Sequence, residues 1–531
     1  MLSSVDALLG LLAGYLAWHL YSARRNKKRR LNFPLPPGPK GHVVIGNLLD
    51  LPAESQWLTL DRWFKDYGES ANKSSVGDIV HVNVMGQHMV FLGSTRTSSL
   101  FFENKSAVYS DRPPMTMVLE LMGWDFFLPG MRYGARWREQ RRVFHEHFHR
   151  GVVSQYHPAF LHETHKLLLN LLTEPGSFLQ HLRLAFTAMI MAATYGIEVQ
   201  DRRDPYIAIS DKAMEGISQA GVPGAFLVNY FPSMKHIPPW VPGAGFQGKA
   251  LQWKKDAQEM LQKPMEAVKK ALREGKGRPS IATKMLQELP PNRTEEHHER
   301  LIQDMGATAY GVSQTVSTAQ VFIIAMAMHP QVQQRAQAEL DKVVGLGRLP
   351  DFADRDSLPY INAIMKELTR WQPVLPVGFR LLAVPRASMA DDVVNGYFIP
   401  EGSVVAACSW SILHDPEHYP HPEEFRPERF LREDGGLDPK VQDPNVAVFG
   451  YGRRICPGRH FSDRSLYLVV ASILATFDIE PSLDQDGKLE SLRPVMLSGL
   501  ISHPAPFNCV VKPRTPFAAD LIRKSCEESV Y

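Results

Sequence analysis

The chain has 531 residues, enough for one large domain or about two or three average ones, and its 44% hydrophobic fraction suits a globular protein with a large core. A charged fraction of 22% and a net charge of +3, with basic residues clustered only locally, give no sign of a nucleic-acid partner. The four cysteines, Cys408, Cys456, Cys509 and Cys526, lie far apart without a CxxC pair, which argues against a zinc site and a disulfide-stapled secreted scaffold and favours a reducing compartment.

In chain order, Ala7 to Tyr21 is nearly all apolar and, with Leu2 and Val5, approaches the roughly 17–20 residues that span a bilayer. Tyr15, Trp18 and Tyr21 gather toward its end, as interfacial aromatics do, and Arg24, Arg25, Lys27, Lys28, Arg29 and Arg30 follow at once. A cleaved signal peptide would carry its positive charge before the apolar run, so this order favours a retained anchor over residues 1–23, although Asp6 and His19 interrupt it. The positive-inside rule then leaves the rest of the chain in the cytosol. Residues 24–40 read as a basic, Pro-rich linker, stiff and extended over Phe33 to Pro39, ahead of a body over 41–531.

Alternation from Asp78 to Leu92 predicts a β-hairpin with a Gly-Gln turn, preceded by a polar loop whose Asn72-Lys73-Ser74 is a glycosylation sequon that a cytosolic face would leave unused. Trp137 and Arg141, four apart in a helical stretch, share one face; alone they could equally be a core Trp beside a surface Arg. Val222 to Gly245 is rich in Pro, Gly and aromatics and reads as an irregular segment. Lys254 to Arg273 reads as an amphipathic helix, Gly275 to Pro279 as a break, and Glu295 to Met328 as one long helix ended by His329-Pro330. A further helix runs from Pro330 to Val344. Pro359 opens another in which Glu367 and Arg370, three apart, face together; alone, such a pair is usually a surface salt bridge worth under about 1 kcal/mol.

The most informative stretch is Phe449-Gly-Tyr-Gly-Arg-Arg-Ile-Cys-Pro-Gly458. Gly450, Gly452 and Gly458 let the backbone pass close to a flat ligand. Arg453 and Arg454 precede Cys456 and can favour its thiolate, and Pro457 is placed as the first residue of a helix running from Arg459 to Phe477, whose start adds partial positive charge near the sulfur. Most lone cysteines are simply small buried hydrophobes. A lone thiolate at a glycine-rich turn, shielded by Phe449, is also what a fifth ligand to haem iron needs.

This stretch resembles the haem-binding loop of the cytochrome P-450 superfamily, Phe-x-x-Gly-x-Arg-x-Cys-x-Gly, at every fixed position: Phe449, Gly452, Arg454, Cys456 and Gly458. The resemblance implies a mainly α haem-thiolate fold with small β-sheets, preceded by one N-terminal transmembrane helix, and haem b held by Cys456. It implies that Trp137 and Arg141 hold a haem propionate, with Arg112 as a weaker candidate and Arg380 at the position expected for a propionate-binding His or Arg, although Leu381 to Ala390 departs from close relatives. Glu367 and Arg370 become the family's Glu-x-x-Arg pair, locked by Arg429 and bracing the cysteine loop. Val222 to Gly245 becomes the loop between two lid helices, dipping toward lipid.

The main departure lies in the long helix. The family's Ala/Gly-Gly-x-Asp/Glu-Thr-Thr oxygen site falls on Tyr310-Gly-Val-Ser-Gln-Thr315, so Ser313 stands in place of the acid and Gln314 in place of the first Thr, with Thr315 retained. The resemblance as a whole is to a microsomal enzyme of fungal secondary metabolism. It would insert one oxygen atom of O₂ into a C–H bond of a small hydrophobic terpenoid- or indole-type substrate, as a monomer in the endoplasmic reticulum membrane, with electrons from an NADPH-dependent flavoprotein reductase. Ser313 and Gln314 keep open a haem-thiolate isomerase, dehydratase or peroxide-using enzyme, and a membrane-bound haem sensor or carrier is the non-enzymatic alternative.

Overall fold

The computed structural model describes residues 33–52, 54–68, 78–221, 225–311, 315–377, 385–484, 486–499 and 501–528. The expected anchor over 1–23, the basic part of the linker, the Asn72 sequon, Ser313, Gln314 and Arg380 lie outside these residues. The architecture is mainly helical with small sheets.

The largest sheet has four strands in the order Ile79–Val84, Gln87–Leu92, Val404–Ala407, Arg386–Ala387. Its first two strands form the expected hairpin, but the turn is Met85-Gly86 rather than Gly-Gln: both residues have positive φ, +50° and +87°, the geometry of a tight two-residue turn. Gln87 therefore belongs to the second strand, opposite Val84. The second strand then pairs in parallel with Val404–Ala407 across more than 300 residues of chain, which ties the N-terminal part of the body to the region preceding Cys456.

The Pro-rich stretch is fastened to this sheet at His81 and to a separate two-stranded hairpin at Phe398. Phe398 N–H donates to Pro34 O and His81 N–H to Pro37 O, both at 2.8 Å, and a Cβ on Gly38 would strike His81 O. Residues 33–39 thus hold a fixed attitude on the body.

Helices supply the rest. Ala135–Phe148 buries Trp137, Gln140, Val143, Phe144 and Phe148, a stripe of helical period. The expected helix over 295–328 is described as Glu295–Gly311 and Thr315–Met328, with 312–314 outside the described residues. Thr315–Met328 is apolar on every side and is buried accordingly, through Val321 to Ala327 without a break. Gly245–Arg273 is longer than expected at its N-terminal end and runs through Pro264. Pro330–Val343 and Pro359–Trp371 each open on a proline in the first turn, where the missing N–H costs nothing. The final long helix is Arg459–Thr476, capped by Gly458; Pro457 precedes the helix instead of opening it, and Phe477 already belongs to the strand Phe477–Pro481.

Candidate active site

The segment before the last long helix turns tightly because glycine permits it. Gly452 has φ of +48°, and a Cβ there would lie 2.3 Å from Phe102 O. The loop closes on itself where Cys456 N–H donates to Phe449 O at 2.8 Å. The N–H groups of Gly458 and Arg459, at the start of Arg459–Thr476, are directed at the Cys456 sulfur. Burial pushes the Cys456 thiol above its ordinary range, and these N–H groups, with the charges of Arg141 and Arg459, oppose it. The residues expected to favour the thiolate, Arg453 and Arg454, are engaged elsewhere. Arg453 extends to Tyr133 Oη at 2.8 Å, and Arg454 donates to Ser110 O and Met131 O at 2.8 and 2.9 Å. Arg453 and Arg454 close the tight turn Gly452–Arg454, and their side chains are spent on Tyr133 and on main-chain carbonyls instead of the sulfur.

Cys456 lines a cavity with Phe449, Gly450, Gly458, Trp137 and four arginines: Arg112, Arg141, Arg386 and Arg454. Three of the four are buried, with exposures of 2% for Arg112, 3% for Arg386 and 7% for Arg454. Main-chain carbonyls aim them. Arg112 donates to Pro129 O and Pro385 O, and Arg386 to Tyr451 O, while Arg454 also lies over the Trp137 ring at 4.2 Å. Burial and mutual repulsion push the guanidinium pKa values down to about 9 for Arg112 and Arg386 and about 8 for Arg454. Among the described residues Arg454 Nη1 is buried without a hydrogen-bond partner. Such a cluster is short of negative charge.

Arg112, the weaker candidate in sequence, is therefore among the best placed. Arg386 was not anticipated: Arg380 lies outside the described residues, and it is Arg386, six positions on, that reaches the cavity at the start of a short strand. Its signal was a single arginine set between Val384-Pro385 and Ala387.

Behind this loop, Glu367 and Arg370 are completely buried and paired through Arg370 Nε to Glu367 Oε2 at 2.7 Å and Nη2 to Oε1 at 2.8 Å. Arg429 Nε joins at 3.1 Å, and both arginines spend their remaining donors on carbonyls of Leu413, Pro420, His421, Pro422 and Glu424. The sequence brought these three together correctly. From the same helix Lys366 pairs with Asp443, beside the short helix Asn445–Val448 that leads into Phe449.

The opposite part of the cavity is apolar: Phe127 and Leu128, Phe186 and Ile190 on Phe178–Tyr195, Met214 on Pro205–Ala220, and Ala309 on Glu295–Gly311. Thr308 is the hydroxyl there, and it already faces Phe126 O and Leu128 N–H. Thr315 also reaches the cavity wall, where its hydroxyl pairs with Ser462 Oγ at 2.8 Å.

Residues 36–509 match the Cytochrome P450 family. The chain belongs to that family. Tryptamine 4-monooxygenase of Psilocybe cyanescens is 40% identical over 505 residues, 94% of this chain and 96% of that protein. Cytochrome P450 monooxygenase COX2 of Coprinopsis cinerea is 38% identical over 519 residues, 97% and 95% of the two chains, and a cytochrome P450 monooxygenase of Armillaria gallica is 41% identical over 505 residues, 94% and 96%. This P450 is accordingly a monooxygenase, and its family works with haem and a redox-partner reductase. The residues present fit haem. The cavity joins a cysteine aimed by two N–H groups to a guanidinium cluster lacking anions, and a Cβ built on Gly458 would meet nothing within 4 Å, so a flat macrocycle can pass over that backbone.

Proposed function

We propose that this P450 hydroxylates a C–H bond of a small hydrophobic metabolite of terpenoid or indole type in fungal secondary metabolism, as a monomer anchored in the endoplasmic reticulum membrane by residues 1–23. Electrons come from NADPH through a flavoprotein reductase. The observation that carries the reading is a cavity lined together by Cys456, buried arginines and apolar side chains. The name of the tryptamine 4-monooxygenase relative supports the indole arm of the substrate class.

In this reading Cys456 would hold the haem iron through its thiolate, whose electron donation would favour O–O cleavage. Trp137, Arg141, Arg386 and Arg454, with Arg112, hold the propionates, since a planar guanidinium bonds carboxylates in pairs. Phe449, Gly452 and Gly458 shape the loop, and Glu367, Arg370 and Arg429 brace it. The apolar residues orient the substrate and exclude water.

Ser313 and Gln314 stand at the positions of the family's acid and alcohol. A serine hydroxyl does not titrate near neutrality, so Ser313 can hold and pass a proton only between waters or to a substrate hydroxyl. That substitution favours one second reading, a haem-thiolate isomerase or dehydratase, which would turn over without reductase.

The test is product analysis in microsomes co-expressing a reductase, fed terpenoids and indoles, beside the carbonyl difference spectrum of the reduced protein. Cys456→Ala should abolish the red-shifted carbonyl band, while substitution of Cys408, Cys509 or Cys526 should leave it. A normal band in Cys456→Ala would overturn the reading.

A further inference from the structure

The charge pattern of the cavity restricts the substrate further, given the substrate-binding role proposed for its apolar part. Four guanidiniums line this cavity, and among the described residues no aspartate or glutamate does. By sequence, three undescribed segments, 222–224 (Val-Pro-Gly), 312–314 (Val-Ser-Gln) and 378–384 (Gly-Phe-Arg-Leu-Leu-Ala-Val), hold no acidic residue.

The nearby carboxylates are already committed. Asp304 is buried, with one oxygen taking Arg136 Nη2 at 2.9 Å and the other Arg300 Nε at 2.7 Å. Asp111 accepts from Arg132 Nε and from Tyr133 N–H, both at 2.7 Å. Both carboxylates are largely buried while the arginines that hold them are about half exposed or more, so turning either toward a ligand would break two charge-assisted contacts to each. Among the described residues the hydroxyls nearest the apolar side chains are neutral and engaged: Thr308 with the main-chain groups of Phe126 and Leu128, and Thr315 with Ser462.

We infer that the substrate is uncharged where it enters this cavity, and that the site discriminates against alkylammonium compounds in favour of neutral ones of the same shape. A cation moved from water into an apolar pocket without a counter-ion loses its hydration and gains no partner. Here it also meets the field of the guanidinium cluster, which two carboxylates of a bound macrocycle would only partly offset. Selection among neutral substrates then rests on the shape set by Phe127, Phe186, Ile190, Met214 and Ala309. An amine-bearing skeleton would have to be oxidised with its nitrogen acylated or otherwise neutral.

The test uses two matched pairs on the full-length, detergent-solubilised holoprotein: tryptamine against tryptophol, and farnesylamine against farnesol. Binding is read by equilibrium dialysis at neutral pH, which does not depend on the haem spectrum; the carbonyl band, recorded separately, reports whether the haem-site assignment holds. In every pair whose alcohol binds, that alcohol should bind about tenfold or more tighter than its amine, the factor expected when about 1.4 kcal/mol of desolvation goes uncompensated. Met214→Glu should narrow or reverse that ratio by giving the ammonium a counter-ion. Should either amine bind as tightly as its alcohol in the parent protein, the inference falls. It falls equally if neither alcohol binds while the carbonyl band is normal. Failure of Met214→Glu to fold leaves the parent comparison decisive.

Discussion

Arg386 and Arg454 lie deep inside the protein as cations without carboxylate partners of their own, which is costly unless something anionic completes the site. Removing one should therefore weaken haem retention more than it weakens the apolar packing. Arg386→Leu is expected to raise the rate of haem loss about tenfold, measured by haem transfer to apomyoglobin. An unchanged rate of loss would remove Arg386 from the haem-binding set. Gly452 shows what sequence does encode at this scale. Its φ of +48° and the 2.3 Å approach to Phe102 O mean that Gly452→Ala must shift the loop, so reduced carbonyl-band yield is expected. The cysteine loop was legible because its constraints are local, spaced residue by residue along ten positions. Arg386 was not, since it arrives from a distant strand and only the fold carries it to the cavity. For Ser313 and Gln314, the expected outcome is measured as peroxide released per NADPH consumed. Ser313→Asp with Gln314→Thr should be better coupled than the parent, because it restores a titratable group to the proton path. No gain in coupling would mark the pair as a tuned site.

At the scale of elements, Pro359–Trp371 links the buried ionic trio to the loop. Deleting the carboxylate leaves two arginines facing each other in the interior, so Glu367→Ala should cost about 3–5 kcal/mol and yield little haem-loaded protein; the same change at an exposed pair such as Lys65–Asp61 should cost under about 1 kcal/mol. Recovery of normal holoprotein from Glu367→Ala would show the trio to be dispensable. His414 belongs to this element pair. It stacks on Trp410 at 3.8 Å, and burial with the charges of Arg370 and Arg429 pushes it down to about 3. Since the folded value lies below the unfolded one near 6.5, the unfolded chain binds the extra proton, and stability is lost as pH falls below 6.5 toward 3. Between pH 7 and 5 this amounts to about 2 kcal/mol, and His414→Phe should lose that much less over the same interval in urea unfolding. Helices with clear periods and proline starts were readable from sequence. The hairpin Asp392–Val394 with Tyr397–Ile399 escaped notice despite its Asn395-Gly396 turn, because strands of three residues carry too little alternation to stand out.

For the whole molecule, the question is how the body meets a membrane. The first described residues, 33–39, are not a free spacer, because Pro34 bonds to the hairpin at Phe398 and Pro37 to the four-stranded sheet at His81. An anchor ahead of them would hold the body in one orientation instead of letting it swing. Beside that entry, Leu48 and Leu51 pack on the same small core as Tyr230 of the irregular 225–244 segment. Around it, Val43 is 87% exposed, Leu49 71%, Trp240 82% and Leu227 47%. Exposed aromatic and aliphatic residues gathered near the chain entry suit a lipid interface as a second, weaker contact. Two attachments of unequal strength make a graded prediction. Deletion of residues 1–30 should move most of the protein from the carbonate-washed microsomal pellet to the supernatant while the carbonyl band persists. The remainder should leave the pellet when Trp240→Ser and Leu227→Ser are added. If the truncated protein stays in the pellet after both high-salt and carbonate washes, the N-terminal segment is not the main attachment. If the two surface changes do not alter the remainder, the 225–244 segment faces water.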